Sequence, residues 1–449
     1  MSRGFSNTVR QLPQRRKYTM KLGKIPGNTL LFGLLLLWTA CGKGPVPTDS
    51  ATALSAELSV LLVGDPFALA LEKLRPRLEE MLGQPVRLEI VGYNDGRRLT
   101  LLNAQDEVSA YDLVALDIVW LGEYARKGVL LDITRDFAAI RDRFFSTALE
   151  ASTLNGRLLA MPIQPHPELL WVRLDLLAEI GRDIPKTTEE VLETARMLHA
   201  PAQQRYGIAW NAQRGQPLGQ SMAHFFAAFG QPLLDGDGRP AFNTPRGLAA
   251  ARYALALREV SPPDILNMAW DQRTSRFAAG QASMTYGWGA RAYMAEDHPA
   301  SRVRGQVVYT AAPHGPETAP VTPFGVWSLG IPANVSSPRR SLQLLNFLLS
   351  EEIQRELLKL GHGTPPLPSL ARDPSLKPAF PVLNVMYDLD AAGELSFQMR
   401  PRIPEWDALC ELLGTEFHDM LQGLRSPEET LGRVHSSALQ LLGFSGETP

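Results

Sequence analysis

The chain has 449 residues, enough to bury a large core and to divide it between two domains. A formal net charge of −2 with 20% charged residues provides no basic field for nucleic acid, and two cysteines provide no disulfide framework. The eight histidines show no HExxH pattern or other tight ligand spacing, so no metal site is expected.

In chain order, the first feature is the stretch LLFGLLLLWTACGKGP, residues 30–45, which follows the basic residues Arg15, Arg16, Lys17, Lys21 and Lys24. The dense apolar run from Leu30 to Ala40 is shorter than the roughly 20 residues a membrane-spanning helix needs. A basic region, a short apolar region and small residues before a cysteine form the layout of an export signal that is cut away. Thr39-Ala40-Cys41 resembles the lipobox of bacterial lipoproteins, in which the thiol is acylated and becomes the first residue. Trp38 departs from that pattern, which usually has leucine three residues before the cysteine. Residues 1–40 are therefore read as a signal peptide, Cys41 as the lipidation site, and 41–56, rich in Pro, Gly, Ser, Thr and Ala, as a flexible tether. The segment from Met20 is a complete export signal by itself, which makes Met20 a second candidate start.

From Glu57 the run ELSVLLVGDP predicts a strand, FALALEKLRPRLEEMLG a helix and VRLEIVGY a second strand. A polar helix, the strand YDLVALDIV and the helix WLGEYARKG follow. Strands alternating with helices predict a parallel sheet covered on both faces. The middle of the chain carries the 3.6-residue period in RLDLLAEIG, TTEEVLETARML, LGQSMAHFFAAFG and TPRGLAAARYALALREV, with Thr188 marking a helix start. Strand character returns in RGQVVYTAAP and FGVWSLGIP, and SPRRSLQLLNFLLSEEIQRELLKLG predicts a long helical stretch. Two α/β lobes are the outcome, with a ligand site at strand carboxyl ends or between the lobes. The alternating Asp and Gly of LLDGDGRPAF lack the later ligands of a calcium loop and read as a hairpin turn.

The order of these segments resembles the extracellular solute-binding proteins of bacterial ABC importers, specifically the carbohydrate-binding family of maltose- and trehalose-binding lipoproteins. Its carriers include YDLVALDIVWLGEYARKGVLLDIT, LNGRLLAMPIQPHPELLWVRLDLLAEIG, LLDGDGRPAFNTPRGLAAARYALAL, FAAGQASMTYGWGARAYM and RPRIPEWDALCELL. The resemblance implies a type II periplasmic-binding-protein fold, with two hinge-connected α/β lobes and the ligand cleft between them. Lobe 1 is assigned to 57–165 plus 311–363 and lobe 2 to 166–310 plus 364–449, with crossings near Gln164–Glu168, Thr310–His314 and Gly361–Pro368. Pro165 and Pro167 depart from the family's usual crossing and are expected to stiffen it. The implied partners are a carbohydrate, expected to be a di- or oligosaccharide, and ABC permease subunits in the membrane. The expectation is a lipid-anchored monomer on the periplasmic or extracellular face, without cofactor or catalysis.

A sugar site needs an aromatic platform beside fixed donors and acceptors. Trp120, Trp210, Trp288 and Trp327 sit at or near strand ends in the resembled pattern, and Trp288 with Tyr286 follows a predicted strand. Gly287 and Gly289 are expected to leave room for backbone approach beside the Trp288 ring. Asp117 ends an apolar strand, where a buried carboxylate needs a partner. Asn94 and Asp95 match polar residues of the family's first loop, and Glu168 and Arg400 complete the candidates. The alternatives are an exported glycosidase using Asp117 and Glu168 as paired carboxylates and a sugar-binding sensor module. No GxSxG elbow, P-loop or Rossmann fingerprint supports an enzyme.

Overall fold

The computed structural model describes residues 57–444. The signal, lipidation and tether expectations of residues 1–56 lie outside the described residues. No helix among the described residues is long and apolar enough to cross a membrane.

Eleven strands are found among the described residues: β1 Leu58–Val63, β2 Val86–Val91, β3 Leu113–Asp117, β4 Thr153–Leu154, β5 Arg157–Leu158, β6 Met161–Arg173, β7 Tyr206–Ala209, β8 Ala282–Trp288, β9 Val307–Thr310, β10 Thr322–Gly330 and β11 Leu395–Ser396. Nine of them form one sheet in the order β2-β1-β3-β10-β6-β8-β7, with β11 beside β10 and β9 beside β6, while β4 and β5 form a separate hairpin. β1 is parallel to β2 and β3, and β7 is parallel to β8, as continuous apolar strands between helices predict. The sheet as a whole is mixed, which corrects the parallel expectation: β10 runs antiparallel to β3 and β6, and β6 antiparallel to β8 and β9, while the short β11 is parallel to β10. β6 carries the chain from the β1–β3 half of the sheet to the β7–β8 half in the sense of β1–β3, and β10 brings it back in the sense of β7 and β8, so each lies antiparallel to the half it enters.

β6 joins the two halves. Its first part pairs with β10 through Pro167, and from Glu168 it pairs with β8. Pro162, Pro165 and Pro167 all fall where β6 has a strand partner on one side only, and the two-sided stretch from Leu170 to Val172 contains none. Proline lacks the N–H that a second neighbour would require. Gln164 turns its side-chain amide to the carbonyl of His362, so the free side of this stretch is met by the segment following the helix Glu351–Lys359.

Most helices fall where their periodicity places them: Pro66–Leu82, Leu174–Ile180, Thr188–Leu198, Gln216–Ala228 and Pro245–Glu259. The cap of the third of these is Thr187, one residue before the expected Thr188, and Glu190 closes a capping box with it. The long helical stretch after residue 337 is two helices, Pro338–Leu348 and Glu351–Lys359, separated at Ser350, whose hydroxyl caps the second. The LLDGDGRPAF hairpin forms: Leu234 bridges Pro240, and the Asp235 carboxylate accepts from the backbone N–H groups of Asp237 and Arg239 at 2.9 Å. Asp235 is thereby satisfied within its own turn.

Candidate functional site

Because β2, β1 and β3 are parallel neighbours, their carboxyl ends reach the same edge. The residues that follow or end them, Tyr93, Asp65 and Asp117, line one wall of a cavity of about 310 Å³. Antiparallel pairing places Trp327 opposite Asp117 and His166 opposite Gly325, which brings both into the same space. Trp288 at the end of β8, Arg291 just beyond it, Gln216 and Gln220 in the helix Gln216–Ala228, and Trp270 and Asp271 in the helix Trp270–Ala278 form the opposite wall. Arg400 and the first turns of the helix Trp406–Leu421 complete it.

At its centre, Arg400 Nη2 donates to Asp117 Oδ2 at 2.5 Å and the Tyr93 hydroxyl donates to the same oxygen at 3.1 Å. Burial works against the Arg400 charge, but the adjacent Asp117 raises its pKa above the ordinary value. Burial, then the Asp117 charge, push the Tyr93 phenol well above its usual range, so it remains a donor. Trp327 donates its indole N–H to Asp65 Oδ2 at 2.6 Å, and Trp270 donates to Gln220 at 3.3 Å. Several polar atoms of this lining have no partner among the described residues: Asp117 Oδ1, Arg400 Nε and Nη1, and Gln220 Nε2. They are one acceptor and three donor atoms, buried in residues of the lining and without a bond inside the protein.

Aromatic rings surround these groups. Tyr93 stacks on Trp270 with centroids 6.4 Å apart and meets Trp327 edge-on at 5.9 Å. Trp288 is held edge-on by His166 at 4.7 Å and His224 at 5.7 Å, with the Arg400 guanidinium 5.6 Å from its ring centre. A side chain at Gly325 would collide with His166 and Arg400, since a Cβ there falls 2.5 Å from His166 Nε2 and 3.0 Å from Arg400 Nη1. Glycine lets these two groups approach the sheet.

Of the residues expected from sequence, Asp117, Trp288, Trp327 and Arg400 line this cavity. The others lie elsewhere. Asn94 and Asp95 are exposed on the first turn of the helix Tyr93–Asn103, where Asp95 pairs with Arg98 at 2.9 Å. Trp120 stands behind the wall, buried against Tyr93 at 4.8 Å and Trp327 at 5.8 Å. Trp210 is fully buried, with its indole N–H on Ser261 at 3.0 Å. Tyr286 shares a 2.7 Å hydrogen bond with Tyr253. Glu168 is buried with Arg273 at 2.5 Å and His224. Burial would raise its carboxyl, but Arg273 and His224 bring it down to about 2. Gly287 makes room for Trp171 and Gly289 for Val382 and Pro167, so both serve packing.

Three further cavity residues carry a signal in the sequence. Asp65 ends the apolar run LSVLLVGD just as Asp117 ends LVALD, and Tyr93 directly precedes Asn94. Trp270 stands at a helix start, where a tryptophan reads equally as core. Asp271, Arg291 and Gln220 had no signal, since nothing local distinguishes them from surface residues. Among the described residues no group of His, Cys, Asp and Glu is arranged to hold a metal ion.

The profile of the bacterial extracellular solute-binding protein family matches residues 69–355. A probable ABC transporter-binding protein of Deinococcus radiodurans is 24% identical over 317 residues, 68% of this chain and 75% of that protein. Among solved structures, an ABC transporter solute-binding protein of Agrobacterium radiobacter K84 in complex with ribitol superposes with a TM-score of 0.81. It is 27% identical, and the match covers 86% of this chain and 99% of that one. The maltose-bound MalE3 of T. maritima has the same fold, with a TM-score of 0.76 at 23% identity over 86% and 99% of the two chains.

Proposed function

The chain belongs to the bacterial extracellular solute-binding proteins, and on that premise we propose that it captures a sugar or sugar alcohol in this cavity for an ABC importer. The observation that carries the reading is the lining itself. Aromatic faces of Tyr93, Trp270, Trp288 and Trp327 surround unpartnered atoms of Asp117, Arg400 and Gln220. Apolar C–H faces of a sugar suit the rings, and adjacent hydroxyls suit an acceptor beside donors. The volume of about 310 Å³ stands at the low end for small-molecule sites, which favours a mono- or disaccharide or a linear polyol. The ribitol-bound relative supports that size class.

In this reading the lobes are 57–165 with 311–363 and 166–310 with 364–449, and the change of partner along β6 at Pro167–Glu168 supports the first boundary. Capture proceeds by closing one lobe on the other, and Asp117 and Arg400, which come from different lobes, are both completed by the ligand. Delivery to permease subunits and anchoring through an acylated Cys41 belong to the same reading, supported by the family and by the lipobox. Mass spectrometry of the mature N-terminus tests the anchor, and an unmodified Cys41 thiol refutes it. The glycosidase alternative loses its pair of carboxylates, because Glu168 is turned to Arg273 outside the cavity.

Calorimetry with ribitol, mannitol, tagatose and maltose tests the binding reading, together with a multiple-turnover assay on oligosaccharides. Saturable one-to-one binding without product release is expected. Binding of none, or sustained turnover abolished by Asp117→Asn, overturns it.

A further inference from the structure

Six ionisable side chains of the charged types line the cavity: Asp65, Asp117, Asp271, Arg291, Arg400 and His166. Both guanidiniums are committed to carboxylates. Arg400 is bonded to Asp117 at 2.5 Å, and Arg291 touches Asp271 and stands 3.7 Å from Asp65. Three carboxylates face two guanidiniums, so the lining carries an excess of one formal negative charge. His166 does not redress it: its Nδ1 is 2.7 Å from the Gln164 carbonyl, and burial lowers its pKa, leaving it neutral at neutral pH. The charges behind the wall cancel. Arg97 is shared between Glu123 at 2.6 Å and Asp407 at 2.9 Å, and Lys127 pairs with Glu123 at 2.7 Å.

An anionic group entering this space meets no uncommitted cation: the N–H groups left on Arg400 belong to a guanidinium whose charge Asp117 already balances, so the added negative charge goes uncompensated beside an excess carboxylate. A hydroxyl adds no charge: Arg400 Nε and Nη1 and Asp117 Oδ1 are buried without a bond inside the protein, and a hydroxyl that reaches them leaves the ion pair intact. An ammonium group is favoured by the excess carboxylate and by the faces of Tyr93, Trp270 and Trp327, which attract cations. We infer that the site takes uncharged or amino-bearing sugars and polyols and refuses sugar acids and sugar phosphates. This rests on the carbohydrate reading above and narrows its substrate class.

The test is calorimetry at low ionic strength on matched probes: glucose, glucosamine, glucuronate and glucose 6-phosphate, and sorbitol, glucamine and gluconate, with ribitol and maltose as further neutral probes. The acid and phosphate congeners are expected to bind at least about a hundredfold more weakly than their neutral parents, the size of a like-charge penalty. The amino congeners are expected to bind as tightly or more so. Asp271→Asn, at a side chain 72% exposed, removes the excess charge and is expected to reduce the discrimination, read as the ratio of neutral to anionic affinity in the same variant, by about fivefold. An acid or phosphate that matches its neutral parent overturns the inference while leaving the carbohydrate reading intact. Undiminished discrimination in Asp271→Asn also overturns it, since shape and not charge then selects. Failure of every probe, whatever its charge, overturns the carbohydrate reading and this inference with it.

Discussion

Trp288 and Trp210 both sit in or next to strands, yet their surroundings predict opposite phenotypes. Trp288 lines the cavity with Arg400 over its ring, so Trp288→Ala is expected to weaken ligand binding by about 2 kcal/mol or more, as loss of an aromatic anchor does. Trp210 is packed against Phe225 and bonded to Ser261, and Trp210→Ala is expected to cost about 3–5 kcal/mol of stability with or without ligand. Calorimetry paired with denaturant unfolding of each variant separates the two, and equal affinity losses in both contradict the assignment. The Asp117–Arg400 pair makes a second comparison. Either Asp117→Asn or Arg400→Met leaves a buried charge alone and is expected to lower stability by about 3 kcal/mol. The double variant is expected to recover part of that stability and none of the affinity, because stability needs only charge balance and binding needs both groups. A double-mutant cycle measured by unfolding and by calorimetry checks it.

At the scale of elements, the segment carrying Arg400 is irregular and owes its place to Arg402. That guanidinium donates from Nη1 to the carbonyls of Glu150 and Ala151 at 2.9 Å and of Thr153 at 2.5 Å, capping the end of the helix Ser146–Ala151. A cation at a helix C-terminus satisfies carbonyls that have no partner within the helix. Arg402→Ala is expected to cost about 2 kcal/mol of stability and to weaken binding as Arg400 loses its support, with Arg402→Lys restoring part of both. Unchanged affinity in Arg402→Ala shows that Asp117 alone holds Arg400. The sequence marked RPRIPEW as a candidate through Arg400, but the fold assigns separate work to the two arginines. One faces the cavity and the other holds the chain that carries it. Residue type could not tell them apart, because both are arginines adjoining Pro401.

For the whole molecule, buried titratable groups set the response to acid. Glu168 is held near 2, below the ordinary 4.5, because Arg273 and His224 outweigh its burial. His362 is lowered to about 3 from 6.5, chiefly by burial. In each case the unfolded chain binds more protons as pH falls through the ordinary value, so stability decreases with acidification. His362 contributes stability that is fully present above pH 6.5 and lost towards 3. Glu168 contributes on the order of 3 kcal/mol, present above pH 4.5 and lost towards 2. Urea unfolding from pH 7 to 2.5 is expected to show a midpoint that falls throughout. Glu168→Gln should start lower, with Arg273 unpaired, and fall less below pH 4.5. A variant that keeps the full slope there removes Glu168 from the acid response.

Sequence alone determined much of this molecule, because the information was local. Apolar runs of strand length between amphipathic helices predict α/β lobes through burial and hydrogen bonding within each segment, and the ordered motifs added the family's fold. Asp117, Trp288, Trp327 and Arg400 were legible because each stands at the end of an apolar run or within a resembled motif. The tertiary structure decided what depends on rotation and register. In the helix Tyr93–Asn103, successive residues turn by about 100°, so Tyr93 meets the cavity and Asp95 meets solvent. Along β8 and β6, Tyr286 and Glu168 share a face with the cavity residues Trp288 and His166, two residues away, so it is position along the strand that places Glu168 with Arg273 and Tyr286 with Tyr253 instead of in the site. Asp271 and Arg291 reach the cavity only because separate helices and strands converge there, and no local pattern encodes a meeting between segments distant in sequence.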